Sequence, residues 1–249
     1  KTIKIDPNLA YAHSDYGVIL QKLNRFEDAI KSYNKAIKIN PNYAEAYNNL
    51  GNIHEELNKI DLAIENYNKA IKINPNYAEA YNNLGGAISK LGKLKQAIEN
   101  YDIAIKINPK LFGAYYNRGI SLEDCQELEK AVESYNMVVK INPNYVQAYN
   151  NLGNVFGKLN RKEEANASYS KAMQIDKNLD FLIGSFFFTK NILCDWQDYD
   201  YNLKIIKDKI IKNKKTSPPF NILSIYDSLK LQKISAETWI KEKYLQKKL

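Results

Sequence analysis

The chain has 249 residues, 45% of them hydrophobic, and its 36 basic and 28 acidic side chains give a formal net charge of +8. Two cysteines and two histidines are too few for a disulfide framework or a metal-ligand spacing, and the longest apolar run, residues 181–188, is far shorter than the roughly 20 residues that span a bilayer. We therefore expect a reduced, cytoplasmic setting, with no cofactor, no metal site and no membrane anchor.

A proline that recurs every 34 residues is the strongest pattern in the chain. A fixed period in this range indicates a solenoid of stacked repeats, in which each unit buries its hydrophobic face against its neighbours. The prolines at this spacing are Pro7, Pro41, Pro75, Pro109 and Pro143.

Each period holds two predicted helices. In the period that starts at residue 44, one helix stripe is formed by Ala46, Tyr47, Leu50 and Ile53. Residues 60–73 show the same spacing, and the following Asn-Pro ends this second helix, because proline lacks an N–H and disfavours helical geometry in the preceding residue. We expect the small residues Gly51 and Ala63 where the two helices approach most closely.

Successive periods share the residue pattern Tyr-x2-Leu-Gly, then Ala-x3-Tyr, then Pro. In the second period these residues are Tyr47, Leu50, Gly51, Ala63, Tyr67 and Pro75. This pattern resembles the tetratricopeptide repeat, with Tyr in place of the usual Trp and Phe. The resemblance implies an all-α fold, a right-handed superhelix of antiparallel helix pairs. The five predicted repeats span 10–43, 44–77, 78–111, 112–145 and 146–179, and they predict ten helices. Repeat four departs most, with Arg118 at the leucine position and Val138 at an alanine position.

The two ends of the chain differ from these repeats. Residues 1–9 match the end of a preceding incomplete repeat, so we expect a fragment of a longer protein. After Leu179 the period fails, and residues 180–249 predict an apolar capping helix, a turn at 194–200, an amphipathic helix from about Tyr201, a loop at 214–220 and a final helix over 228–248. The side chains expected to cover the open end of the repeat core are Phe181, Phe186, Phe187 and Phe188.

This C-terminal extension carries a second resemblance. The segment CDWQDYD, Cys194 to Asp200, is similar to the Cys-Asp-Trp-x-Asp-Tyr-Asp segment that follows the repeats in O-linked N-acetylglucosamine transferases. The stretch that begins SPPFNIL at Ser217 resembles the Ser-Pro-Phe-x-Leu-Leu stretch of their bacterial relatives. The resemblance implies a substrate-recruiting module for a glycosyltransferase that modifies Ser or Thr from UDP-N-acetylglucosamine. The catalytic region of that family follows the junction, so this chain is not expected to be an enzyme by itself; the alternative is a stand-alone scaffold for protein assembly.

Asparagines recur on the first helix of each repeat, away from the apolar stripe. At the 34-residue period stand Asn49, Asn83, Asn117 and Asn151, with Asp15 in repeat one. Their neighbours on the same helices are Asn48, Asn82, Asn150, Asn52 and Asn154. In the tetratricopeptide family this face lines the concave groove, so the resemblance implies a groove lined by amides.

An amide offers one acceptor and two donors, and so can pair with both the N–H and the C=O of a peptide group. The asparagine row therefore predicts a site for an extended polypeptide segment or partner protein, bound by its backbone. The alternative is that some amides bond neighbouring helices or cap carbonyls. A carboxylate clamp is not expected, because this face is mildly acidic and lacks the Lys or Arg that such a clamp needs.

Other partners and sites are less well supported. Twelve of the 19 tyrosines fall at three repeat positions that serve mostly for packing, so their number does not indicate nucleic-acid stacking. Self-association is left open. His13 and His54 fall at repeat core positions, and turn or capping roles are expected for Asp195, Asp198 and Asp200 rather than metal binding.

Overall fold

The computed structural model describes residues 9–212, 214–223 and 226–242, and this part of the chain contains fourteen α-helices and no strand. The predicted all-α repeat fold is thereby confirmed. The chain divides into two compact units, residues 1–134 and 135–249, termed here the first and second units. The predicted tail of a preceding repeat lies almost entirely in residues 1–8, outside the described residues.

The first unit consists of successive antiparallel helix pairs. Its helices are α1 (Ala10–Lys22), α2 (Phe26–Ile39), α3 (Ala44–Glu56), α4 (Ile60–Ile73), α5 (Ala78–Lys90), α6 (Leu94–Ile107), α7 (Phe112–Asp124) and the beginning of α8 (Leu128–Ile141). The boundary between the units falls within α8.

The second unit continues with α9 (Val146–Lys158), α10 (Lys162–Ile175), α11 (Leu182–Ile192), α12 (Tyr199–Ile211), α13 (Pro219–Leu223) and α14 (Leu229–Ile240). Helices α1 to α10 are the ten that the repeats predicted. The amphipathic helix predicted from about Tyr201 is α12, and the final predicted helix is α14. The predicted continuation of that helix over 243–248 lies outside the described residues, and α13 was not predicted.

A buried tyrosine resting on a glycine joins the two helices of a repeat. The rings of Tyr33, Tyr67 and Tyr101 are buried, and each lies against the glycine sixteen residues earlier, namely Gly17, Gly51 and Gly85. A Cβ atom added to Gly51 would lie 2.4 Å from Cε1 of Tyr67, so no side chain fits there. The expected close approach at Gly51 is therefore observed, and the partner is a tyrosine ring.

Two turns of fixed geometry recur with the repeat. The residue that links the first helix of a pair to the second has a positive φ, at Asn24, Asn58, Gly92, Gln126 and Asn160. Glycine and asparagine tolerate this left-handed conformation best. After the second helix, the Oδ1 atom of Asn40 accepts a hydrogen bond from the backbone N–H of Asn42 at 3.0 Å, and the Asn-Pro-Asn turns at 74–76 and 142–144 do the same.

The C-terminal helices of the second unit have a core of their own. It comprises Ile183, Phe187, Ile206, Ile210, Ile222 and Leu231. Met173 of α10 packs against this cluster, so α11 covers the last repeat helix as expected. The phenylalanines expected to form the cap are divided: Phe187 is buried, whereas Phe181 meets Trp239 and Phe188 meets Phe220 edge to face.

The predicted loop at 214–220 is a loop over residues 214–218, whereas Pro219 and Phe220 begin α13, and the centre of the loop is buried. Thr216 and Ser217 are each 2% exposed. The N–H groups of Phe181 and Gly184 donate to the carbonyls of Lys215 and Thr216 at 2.6 and 3.0 Å. Ser235 Oγ donates to the carbonyl of Ser217 at 3.0 Å, which joins the loop to α14 as well. Among the described helices, none is long and apolar enough to cross a membrane.

Candidate functional site

The asparagines predicted as a ladder lie on the first helix of each repeat, on α3, α5 and α7 of the first unit and on α9 of the second. Asn48 is buried, and the other predicted members are partly exposed. None of them is therefore a fully solvated side chain.

Within the first unit the amides bond to one another from repeat to repeat. Asn83 Nδ2 donates to the Oδ1 atoms of Asn48 and Asn52, both at 3.1 Å. One repeat later, Asn117 Nδ2 donates to Asn82 Oδ1 at 3.0 Å. Asn82 Nδ2 in turn reaches Asn83 Oδ1 at 3.3 Å, which joins the two sets. The amides form a connected row across α3, α5 and α7.

For part of the row, these contacts agree with the alternative that the amides bond neighbouring helices, because Asn83 and Asn117 do so. Both donors of Asn83 are satisfied within the protein, whereas Asn82 and Asn117 each use one of two. Asn49 makes no side-chain hydrogen bond with the described part of the chain. Carbonyl lone pairs and several N–H groups therefore remain for a ligand, and binding of a peptide there stays a prediction.

A tyrosine hydroxyl reaches the same face from the second helix of the repeat. The Tyr67 hydroxyl lies 2.9 Å from both Asn52 Oδ1 and Glu55 Oε2, and these two acceptors share its single proton. Glu55 Oε1 also pairs with Lys90 Nζ at 2.8 Å. The repeat position of Tyr67 predicts packing only; the sequence signal for its contact with Asn52 is the spacing of fifteen residues between them.

The second unit repeats this contact. Tyr169 Oη donates to Asn154 Oδ1 at 2.8 Å, again across fifteen residues. Asn150 and Asn151 precede Asn154 on the partly exposed face of α9. The two repeats that carry an asparagine at this position therefore hold it with the hydroxyl of their own buried tyrosine.

Burial and nearby carboxylates keep these hydroxyls protonated. Burial raises the pKa of Tyr67, and the neighbouring Glu55 carboxylate raises it further. The pKa of Tyr101 rises to about 12, mainly by burial, with a contribution from Glu55. Tyrosine hydroxyls at this site therefore act as hydrogen-bond donors over the whole physiological pH range.

The two histidines and the acidic turn are bonded to other groups of the protein. His13 is buried, and its carbonyl accepts from Ser32 Oγ at 2.8 Å. His54 Nδ1 lies 3.2 Å from Asn66 Nδ2, and burial lowers the pKa of His54. Among the described residues no group of His, Cys, Asp and Glu could hold a metal ion.

Asp195 closes the turn of the CDWQDYD segment. Its Oδ1 accepts from the N–H of Gln197 at 3.0 Å, and its carboxylate lies 3.2 Å from the nearly buried Lys190. The hydrogen bond from the Gln197 N–H makes the largest contribution to lowering the pKa of Asp195, and Lys190 lowers it further. Asp198 has a left-handed φ of 58° immediately before α12. Asp195 has the expected turn role, whereas Asp198 stands before α12 without a capping hydrogen bond from its side chain.

Family models match the repeat region almost without interruption. The model described as TPR repeat matches residues 19–58, 89–124 and 124–160. Three models described as tetratricopeptide repeat match residues 44–77, 66–99 and 146–179. The chain is a tetratricopeptide repeat protein. Comparison with curated proteins finds no match.

Solved structures of other tetratricopeptide repeat proteins resemble the chain. A crystal structure of MamA is 28% identical, covers 65% of this chain and 94% of its own, and has a TM-score of 0.59. The structure of PilF of Pseudomonas aeruginosa is 18% identical in sequence and has a TM-score of 0.73. The match covers 92% of this chain and 97% of the PilF chain.

YrrB is 22% identical, covers 72% of this chain and 92% of its own, with a TM-score of 0.57, and is described as a TPR protein with an unusual peptide-binding site. At the identities of PilF and YrrB, the likeness shows the shared repeat fold.

Proposed function

We propose that this tetratricopeptide repeat protein binds an extended segment of a partner protein along the asparagine row. The observation that carries the proposal is the connected set of amides on α3, α5 and α7, in which Asn83 and Asn117 bond back to Asn48 and Asn82. These bonds fix the side-chain rotamers in advance, so a ligand does not need to order them.

The chemistry of the row favours a peptide backbone as ligand. Unused amide N–H groups and carbonyl lone pairs match the alternating C=O and N–H of an extended chain. Neutral contacts of this kind place little demand on the side chains of the ligand. They should also respond weakly to salt, unlike contacts to nucleic-acid phosphates.

Substitutions at two asparagines of the row can distinguish an effect on peptide binding from an effect on folding. Asn49 makes no bond within the described protein, so Asn49→Ala should weaken peptide binding and leave the melting temperature unchanged. Asn83→Ala removes two hydrogen bonds to α3, so it should reduce both the peptide affinity and the melting temperature, at about 0.5–1.5 kcal/mol for each hydrogen bond lost.

The probe is a set of synthetic peptides chosen by selection from a random peptide library against the intact chain. Affinity is measured by fluorescence anisotropy and stability by thermal unfolding, on each variant. Normal affinity of Asn49→Ala and of the folded Asn83→Ala variant for every selected peptide would show that the asparagine row does not bind the peptide.

The resemblance of Cys194–Asp200 supports a narrower proposal, that the bound segments are substrates of an O-linked N-acetylglucosamine transferase. The compared structures are those of other tetratricopeptide repeat proteins, which supports the alternative of a stand-alone scaffold. Reading the parent gene beyond residue 249 separates the two. A sugar-nucleotide-binding region in frame would support recruitment for glycosylation, and a stop codon there would contradict it.

A further inference from the structure

The asparagine row has a gap at one repeat. The position three residues after the second asparagine is Val18, Asn52, Gly86, Ile120 and Asn154 in the five repeats. Only repeat three places a glycine there. A Cβ atom added to Gly86 would meet a single atom within 4 Å, Glu55 Oε1 at 4.0 Å. The missing side chain leaves open space in front of the Glu55 carboxylate.

Glu55 is held in place behind this gap. Its Oε2 accepts from the hydroxyl of Tyr67, whose ring is fully buried. The Glu55 carboxylate raises the pKa of Tyr67 and also that of Tyr101, the buried tyrosine of the next repeat. The carboxylate is therefore oriented by the core of the repeats.

Within the described part of the chain Glu55 has one cationic partner, Lys90, and the Lys90 side chain is more exposed than that of Glu55. Lys90 Nζ lies 2.8 Å from Glu55 Oε1, but the Lys90 side chain is 54% exposed against 21% for Glu55. A carboxylate accepts at about four lone-pair positions, and the two protein contacts leave some of them available. An exposed lysine contributes little to such a pair, so an incoming cation can displace it or share the carboxylate with it.

We propose that the gap at Gly86 is a subsite for a lysine or arginine side chain of the bound segment, with Glu55 as its counter-ion. This proposal rests on the proposed function, because the segment must first lie along the asparagine row. The row then holds the backbone, whereas the Gly86 subsite selects one side chain and sets the register of the segment.

The test uses the peptides selected from the random library against the intact chain. We expect the selected peptides to share one Lys or Arg at a fixed position. In the tightest peptide, replacing that residue by norleucine should weaken binding to the wild-type chain about tenfold, the range of a charge-assisted hydrogen bond. The same replacement should have no effect on binding to a Glu55→Gln variant.

Three further variants make the test specific. Glu123→Gln removes an acid from the equivalent position two repeats later and should keep the preference for the basic peptide. Gly86→Leu fills the gap and should abolish the preference; its Cβ atom would meet only Glu55 Oε1, at 4.0 Å, so we expect the chain to remain folded. Lys90→Ala removes the competing cation and should strengthen binding of the basic peptide.

The outcomes distinguish the two proposals. Peptides that bind without a shared basic residue, or whose preference for it survives Glu55→Gln, would overturn the subsite and leave the binding function intact. If selection yields no peptide that binds, the proposed function and the subsite both fail.

Discussion

The ring of Tyr67 packs directly on Gly51, and this contact fixes how close α3 and α4 approach. Gly51→Ala would place a methyl group 2.4 Å from Cε1 of a fully buried ring. We expect the variant to lose about 1–3 kcal/mol in the free energy of unfolding, as overpacked cores do. Urea denaturation measures the loss.

Gly113 provides the matched control for this substitution. It lies in α7 of the same unit, and an added Cβ there would meet nothing within 4 Å. Gly113→Ala should stabilise the chain by about 0.4–1 kcal/mol, because alanine loses less backbone entropy on folding. Equal effects of the two substitutions would show that the Tyr67 contact does not constrain the repeat.

His54 occupies a position that is Leu20, Ile88, Leu122 and Phe156 in the other repeats. Burial lowers the pKa of His54, so the unfolded chain binds a proton more readily than the folded one. Stability should therefore be complete above the ordinary histidine pKa of about 6.5 and should decrease as the pH falls below it. Melting temperatures measured between neutral and mildly acidic pH should show this decrease.

His54→Leu restores the apolar residue of the other repeats and should remove that part of the pH dependence. Asn66 Nδ2 keeps a partner in the variant, because it also donates to the carbonyl of Leu62 at 2.7 Å. An identical decrease in wild type and variant would assign the pH dependence to carboxylates elsewhere.

At the scale of elements, α11 is joined to the buried loop that follows α12. The backbone of Gly184 passes so close to this loop that an added Cβ would lie 2.1 Å from Ser217 Cβ. Gly184→Ala should therefore separate the loop from α11 and expose the loop to protease. Limited proteolysis should give early cleavage within 214–220, and Gly157→Ala, whose added Cβ meets no atom within 4 Å, should not. Cleavage at the wild-type rate would contradict the close packing.

The repeat helices were predictable because period, apolar spacing and proline all repeat, so each segment is supported by four others. The left-handed residue at Asn58 and the turn at Asn40 also recur, but only the dihedral angles and the hydrogen bonds reveal their roles. Helix α13 has five residues and no repeat to support it. The buried loop beside Gly184 depends on contacts between distant parts of the chain, and spacing within one segment does not encode them.

The asparagine row was predictable as a periodic set but not as a bonded network. Sequence spacing places Asn83 and Asn48 on equivalent faces of neighbouring repeats, yet whether the amides meet depends on the distance between α3 and α5. That distance depends on Tyr67 of α4, which rests on Gly51 of α3 and clusters with Leu84 and Ala87 of α5. The gap at Gly86 was visible in the sequence, but its meaning required the position of Glu55.

At the scale of the whole molecule, the predicted function requires no sugar-nucleotide chemistry from this chain. We expect calorimetry to show no tight binding of UDP and no turnover of UDP-N-acetylglucosamine, because the groups of the proposed peptide site are amides, a tyrosine hydroxyl and one carboxylate. Such groups provide no cationic cradle for a diphosphate. Micromolar UDP affinity would contradict this reading and would require a further site.

The packing of each buried tyrosine on a glycine of its own repeat has a consequence for how such a chain evolves. Because the tyrosine and its glycine belong to the same repeat, recombination can duplicate or delete an entire repeat without a compensating substitution in any other repeat. Residues 44–73 and 78–107 are identical at 19 of 30 positions, which is the expected trace of such an event. Every duplication would also add asparagines to the row, so the length of polypeptide that descendants of this gene can hold would change in whole-repeat steps.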